Sequence, residues 1–225
     1  MNPSARQSSF AAVVLAAGYS SRMKLWKPGI LLDKIPLIIR VIASAAHICE
    51  HIVVVGGYQF DKLRVLIRDD ENLSESEKRK IMFTENVHID AGMFSSVKVG
   101  MTQVHSSIDG IFVVPGDMPF VRTNTYRLLS DTFGKNPTID VFIPAVFAES
   151  GGDTKEKRLK KGHPILVRRH AIPAILQEEE NSILRNVLRK HSSEVCVVED
   201  RGICIDIDDE SDLAKYNSYL ELNRA

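Results

Sequence analysis

Residues 10–27 read Phe-Ala-Ala-Val-Val-Leu-Ala-Ala-Gly-Tyr-Ser-Ser-Arg-Met-Lys-Leu-Trp-Lys. The first six are apolar and predict a short buried strand over Phe10–Leu15. A loop rich in small side chains follows, from Ala16 to Ser21. Small residues let backbone N–H groups turn toward a ligand and approach it closely. Two cations, Arg22 and Lys27, are spaced to neutralise what those amides cradle. A polyphosphate suits such a loop. The order of strand and loop matters, because ligands of open α/β sheets bind beyond the carboxyl ends of the strands. Gly18 stands alone here, so both the dinucleotide fingerprint G-x-G-x-x-G and the P-loop are missing, which disfavours a dinucleotide-dependent dehydrogenase. The same segment also reads as a tight strand-to-helix turn with surface cations.

Outward from this stretch, strands alternate with helices. Strands are expected at His51–Val55, Lys80–Thr84, Gly110–Val114, Asp140–Val146 and Pro164–Val167, with short ones at Glu194–Val198 and Ile203–Ile205. Helices are expected at Pro36–Ile48, Phe60–Ile67, Ser95–Val104, Thr123–Phe133, Ala171–Gln177, Ile183–Lys190 and Ser211–Leu220. Ser95 or Ser96, and Thr123 or Asn124, are placed to cap their helices. Residues 69–80 read as an exposed loop or frayed helix end. The alternation implies an α/β fold with a doubly wound, mainly parallel sheet. The organisation expected is a flexible tail over 1–9 and one domain over 10–221, with an irregular edge after residue 146.

Four further sites carry chemistry. Val113-Val-Pro-Gly-Asp-Met-Pro119 ends a strand sharply and leaves Asp117 at its carboxyl end. A carboxylate fixed there, beside a phosphate loop, is what Mg²⁺ requires. Alone, it is equally a turn aspartate. In Ala91-Gly-Met-Phe-Ser-Ser96, Gly92 permits a turn before a helix whose N-terminus suits a nucleotide or simply needs a cap. Gly162-His-Pro164 gives His163 a defined direction, toward a substrate or within a turn. In Asp206-Ile-Asp-Asp-Glu-Ser-Asp-Leu213, Asp206 and Asp208 share a side if extended. One of them can complete a metal site, or the segment caps a helix.

Composition limits the partners. The 225 residues are 44% hydrophobic and 26% charged, with 29 Lys plus Arg against 29 Asp plus Glu. No global basic field points to nucleic acid, and no apolar run reaches membrane-spanning length. The tail lacks a signal-peptide core, and the three cysteines show no paired spacing. A reducing cytoplasm is the expected location. Five cations crowd residues 155–161. Such a run is ordinarily a solvated loop, and beside a phosphate site it also helps to bind an anionic substrate.

Taken together these motifs resemble the MobA-like nucleotidyltransferases, in particular the molybdenum cofactor cytidylyltransferases. Leu15-Ala-Ala-Gly18, Ser21-Arg22-Met23 and Lys27 match the opening L-A-A-G-x-S-x-R-M-G-x-x-K, with Lys24 in place of the glycine. Asn86, Gly92 and Ser96 resemble N-P-x-W-x-x-G-M-x-x-S, with Val87 and Ile89 replacing proline and tryptophan. Gly116-Asp117-Met-Pro119 resembles a metal-binding D-x-P, Gly162-His-Pro164 a G-H-P element, and Asp206–Leu213 the closing D-x-D-T-P-E-D-L. The segment Glu180–Leu188 departs from the family's G-D-x-G-A-R.

The resemblance implies a three-layer α/β/α, Rossmann-like fold of the nucleotide-diphospho-sugar transferase type. It implies a Mg²⁺-dependent transfer of a nucleoside monophosphate, CMP from CTP, to a phosphorylated acceptor such as molybdopterin, with pyrophosphate released and a molybdoenzyme as recipient. The alternatives are a sugar- or polyol-phosphate nucleotidyltransferase and a non-catalytic nucleotide-binding factor of molybdoenzyme maturation. The implied roles are catalysis by Arg22, Lys27 and Asp117, and nucleotide binding by Leu15, Ala16, Ala17, Gly18, Ser20, Ser21, Arg22, Lys27, Asn86, Gly92 and Ser96. Asp117 with Asp206 or Asp208 would hold the metal, and His163 would face the acceptor.

Overall fold

The computed structural model describes residues 8–19, 25–148, 158–209, 211–212 and 216. Strand β1 (Phe10–Leu15) lies centrally, with β4 (His51–Gly56) and β6 (Gly110–Pro115) parallel on either side. Beyond β4 lies β5 (Ile81–Glu85), also parallel. Beyond β6 come β9 (Ile165–Arg168), β7 (Val141–Ala148) and β10 (Ser193–Val197). β9 runs antiparallel to both its neighbours, and β8 (Arg158–Lys161) pairs antiparallel with the end of β7. The sheet is therefore mostly parallel, as expected, with two reversed strands in its later half. β2 (Leu31–Leu32) and β3 (Ile35–Pro36) form a separate small hairpin.

Both faces of the sheet are covered, and the strand sequences show why. Ala12, Val14, Ile52, Val54, Phe112 and Val114 point into one core, with α1 (Leu37–Ala46), α2 (Phe60–Asp69) and α5 (Thr123–Lys135) packed over them. Ala11, Val13, Val53, Val55, Ile111 and Val113 point into the other, beneath α4 (Met93–Thr102), α6 (Ile172–Gln177) and α7 (Leu184–Leu188). Alternate side chains leave a strand on opposite faces, so a strand buried on both must be apolar throughout.

Several local expectations change. Ile203–Ile205 is not a strand: Arg201–Cys204 forms a 3-10 turn. Its Gly202 packs so closely on the Phe120 carbonyl that a β-carbon would stand 2.1 Å from that oxygen. Ser95 and Ser96 do not cap α4, which starts at Met93 with Gly92 at its N-cap. Neither Thr123 nor Asn124 caps α5. The buried Asp200 carboxylate, 78 residues away from Arg122, accepts from the Arg122 amide at 2.8 Å and from Thr125 Oγ1 at 2.7 Å. Part of the 69–80 segment is ordered into α3 (Glu75–Lys78), opened by a capping box in which Ser74 and Glu77 bond reciprocally. Ser9, expected in the tail, is buried, and its amide bonds Asp109 at 2.8 Å. Residues 1–7 of that tail, and most of the expected Ser211–Leu220 helix, lie outside the described residues.

Candidate active site

From β1 the chain builds outward through β4 to β5, then returns to place β6 on the other side of β1. Loops leaving two such strands diverge to opposite faces, and a crevice opens between them. The two expected motifs leave from these two strands. The Ala16–Tyr19 loop follows β1 and the Gly116–Asp117 turn follows β6. They touch directly, since the Gly116 amide donates to the Leu15 carbonyl at 2.8 Å. A β-carbon on Gly116 would sit 2.6 Å from that carbonyl oxygen, so the turn needs glycine to come this close.

At this junction three charged side chains meet. The Lys27 ammonium lies 3.6 Å from Asp117 Oδ2 and bonds Asp208 Oδ1 directly. Lys27 comes from a 3-10 turn over Lys27–Gly29, and Asp208 from the chain that crosses back over the sheet. The crossing is tied down because the Ile207 amide donates to the Asp117 carbonyl at 2.9 Å. Asp212, buried, accepts from the amides of Asp208 at 2.8 Å and Asp209 at 3.1 Å and shapes the turn between them. Burial pushes the Asp117 carboxyl above the usual carboxylate range. Lys27 opposes that shift, and the neighbouring Asp208 and Asp206 add to it.

Of the two C-terminal carboxylates, Asp208 meets Lys27, while Asp206 is exposed and acts on Asp117 through its field. Among the described residues no three His, Cys, Asp or Glu side chains converge as a ready-made metal cage. Two hard carboxylates around one cationic centre still match the donor set that a magnesium ion takes, with phosphate oxygens and water supplying the rest.

The β1 loop is held largely through its backbone. The Ala16 amide donates to Val55 O at 2.9 Å, and Ala17 O accepts from the Tyr58 amide at 3.2 Å. A β-carbon on Gly18 would have open space around it. Ser20, Ser21 and Arg22 lie outside the described residues. On the far side of β4, a 3-10 turn over Ile89–Ala91 delivers Gly92 at φ 96°, again with open space beside it. Tyr19 Oη donates to Asp90 Oδ1 at 3.1 Å, joining the loop to this turn. The tyrosine rings of residues 19 and 58 approach to 5.7 Å, both residues nearly half exposed. Sequence reading did not select Tyr19, Tyr58 or Asp90. Their only signal there is position, two aromatics and an acid beside small-residue turns.

Asn86 and Ser96 are brought together, but inside the protein. The buried Asn86 side-chain amide donates to Ser95 Oγ at 2.8 Å and Ser96 Oγ at 2.9 Å, and its Oδ1 accepts from the His88 amide at 2.9 Å. These bonds fix the loop that presents Gly92. His163 lies by the Asp206 side of the cluster. Burial lowers its imidazole pKa, opposed by a bond to the Val113 backbone and by Asp206, and favours the neutral ring. Its Nδ1 is buried and has no hydrogen-bond partner among the described residues. Next to it a cavity of about 1060 Å³ opens, lined from β8 and α7.

The sequence matches the model of the MobA-like NTP transferase domain over residues 12–195. The chain belongs to that family. The transferase is 23% identical, over 91% of its own length and 94% of the relative's, to the molybdenum cofactor cytidylyltransferase of Escherichia coli. Its fold is shared by 4-diphosphocytidyl-2C-methyl-D-erythritol synthase from Anaerococcus prevotii, with TM-score 0.71, 14% identity and coverage of 96% and 97% of the two chains. It is shared too by Rv0371c from Mycobacterium tuberculosis in complex with manganese, with TM-score 0.68, 18% identity and coverage of 92% and 97%. The transferase is accordingly an enzyme, a nucleotidyltransferase. No helix among its described residues is long and apolar enough to cross a membrane.

Proposed function

We propose that this transferase moves CMP from CTP onto a phosphorylated acceptor and releases pyrophosphate. The observation that carries the reading is the Lys27 ammonium between Asp117 and Asp208, at the crevice where the β1 loop and the β6 turn meet. The likeness to a cytidylyltransferase over nearly the whole chain supports the choice of nucleotide.

An acceptor phosphate oxygen is already an anionic nucleophile near neutral pH. It attacks the α-phosphorus, the new P–O bond forms as the α–β bridging P–O bond breaks, and the electron pair leaves with pyrophosphate. The protein therefore has no proton to remove; it must position and neutralise. The Ala16 amide is taken by Val55, which leaves the backbone amides of Ala17, Gly18 and Tyr19 to meet the phosphates. Lys27, released from Asp208 as the triphosphate enters, offsets charge building on the leaving group, and the sequence motif assigns Arg22 the same task. Asp117 and Asp208 are the residues to hold Mg²⁺, with Asp206 adding field. A bound Mg²⁺ supplies charge neutralisation at the α-phosphate and a template for its oxygens. Gly92, held by the Asn86–Ser96 network, gives the nucleotide room, and neutral His163 faces the acceptor.

Molybdopterin is the acceptor that the whole-length relative suggests. The second reading, a sugar or polyol phosphate, is favoured by Glu180–Leu188, which departs from the G-D-x-G-A-R of the resembled family. The molybdoenzyme recipient finds no support in the comparisons and is left out of the proposal. The test is pyrophosphate release from CTP, GTP, ATP and UTP against molybdopterin and simple phosphate esters. CTP should be turned over at least tenfold faster than the others with one acceptor class. Faster turnover of GTP or UTP overturns the cytidylyl assignment, and no release with any pair overturns the transfer.

A further inference from the structure

Among the described residues, the cavity beside His163 is lined by Arg158, Lys160, Lys161, Arg185 and Arg189, and by no aspartate or glutamate. Among the described residues none of the five pairs with a carboxylate. Other cations of this chain do pair, as Arg64 with Asp61 and Lys78 with Glu75. Of the three acids that precede α7, Glu178 is taken by Lys190 at 2.6 Å, and none of Glu178, Glu179 and Glu180 is on the lining. Like charges around one cavity raise its potential and draw anions into it. Nucleotidyl transfer needs one anionic group of the acceptor, the attacking phosphate. That group must reach the Lys27–Asp117–Asp208 cluster, to which α7 contributes nothing. Arg185 and Arg189 therefore have no task in the reaction itself. They stand four residues apart, on one side of α7 and its C-cap, with a rise of about 6 Å between them. Two guanidinium forks so spaced suit a single phosphate or carboxylate bound through paired hydrogen bonds. Apolar Ile143 and Leu184, also on the lining, suit a carbon skeleton between the two anionic ends.

Resting on the transfer reading above in its sugar- or polyol-phosphate form, we propose that the acceptor carries a second anionic group, a phosphate or a carboxylate, held by Arg185 and Arg189. The cations of β8 neutralise the phosphate that reacts. Mono-anchored phosphate esters are consequently poor acceptors.

Calorimetry tests this on the whole chain with Mg²⁺ and a saturating non-hydrolysable CTP analogue, which blocks the triphosphate crevice. The probes are a polyol monophosphate, the corresponding bisphosphate and a phosphate ester bearing a carboxylate. One of the two-anion probes should bind at least tenfold tighter than the monophosphate, and which one does so names the second group. A smaller ratio for both overturns the proposal. Arg185→Ala/Arg189→Ala should cut the ratio below threefold while leaving monophosphate binding intact. Retention of the ratio, or equal loss for all probes, overturns the assignment to α7. Both arginines are exposed, so the fold tolerates the change. Arg127→Ala, on α5 at the opposite face, controls for net charge and should alter nothing. The analogue's own isotherm is read first. Its absence overturns the CTP reading, and the probe ratio measured without it then decides the acceptor separately.

Discussion

The β1–β4–α4 side of the crevice is assembled from backbone bonds and buried polar contacts, whereas the β7–β8–α7 side presents long exposed cations around a cavity. On the first side, Asn86 and Ser95 are 1% and 2% exposed, and the loops above them are spanned by main-chain bonds. On the second, every residue of β8 is exposed. A rigid, backbone-built wall suits a ligand part common to many reactions, such as a triphosphate. A wall of side chains on an antiparallel insert can vary without disturbing the parallel core. The proposed function puts specificity for the acceptor on that side, and the chemistry common to any acceptor on the other.

Three measurements break or sharpen this contrast. The largest effect belongs to the junction. Lys27→Ala should lower kcat/KM for CTP by about 10²-fold or more, as for losing a charge at a developing anion. The loss should be the same with every acceptor that is turned over; a change below threefold, or one that varies with acceptor, places Lys27 on the acceptor side instead. Next, Asn86→Ala should cost about 1–3 kcal/mol in urea unfolding, because buried hydrogen-bonding groups lose their partner. Arg185→Ala should stay within about 0.5 kcal/mol, as is usual for exposed positions. Equal costs would erase the distinction between a built wall and a decorated one. The smallest effect is at the boundary. Burial raises the folded-state pKa of Asp117, so its ionised form opposes folding once the pH passes that value. The associated stability is fully present below the unfolded carboxylate pKa and is lost as pH rises. Asp117→Asn should therefore raise the Tm at pH 7, and the gain should vanish in acid, while turnover is lost. A Tm that falls at pH 7 would mean that the bond to Lys27 outweighs burial.

Much of the first wall was readable before any fold was known. The strand Phe10–Leu15, the stop at Pro115-Gly-Asp117 and the doubly wound order all follow from local composition. Ser95 and Ser96 misled because a serine near a helix start favours capping. Here their hydroxyls turn inward to Asn86, a partner that sequence spacing alone cannot select. Ile203–Ile205 has strand composition, but close packing of Gly202 against Phe120 replaces the strand with a turn. The second wall was scarcely legible. The cations of β8 read either as a solvated run or as help in binding an anionic substrate, and Arg185 and Arg189 carried no signal of their own; one cavity joins them.

The sequence by itself determined the parallel α/β core, the small-residue loop after the first strand and the acid at the end of another. Each depends on interactions within a few residues, where alternation, turn chemistry and side-chain size act directly. Only the tertiary structure decided that Lys27 meets Asp208 across 181 positions, rather than Asp206. It also decided that the cations of β8 and α7 surround one cavity. Those meetings depend on how strands are ordered and where loops cross, and the chain carries no local mark of either.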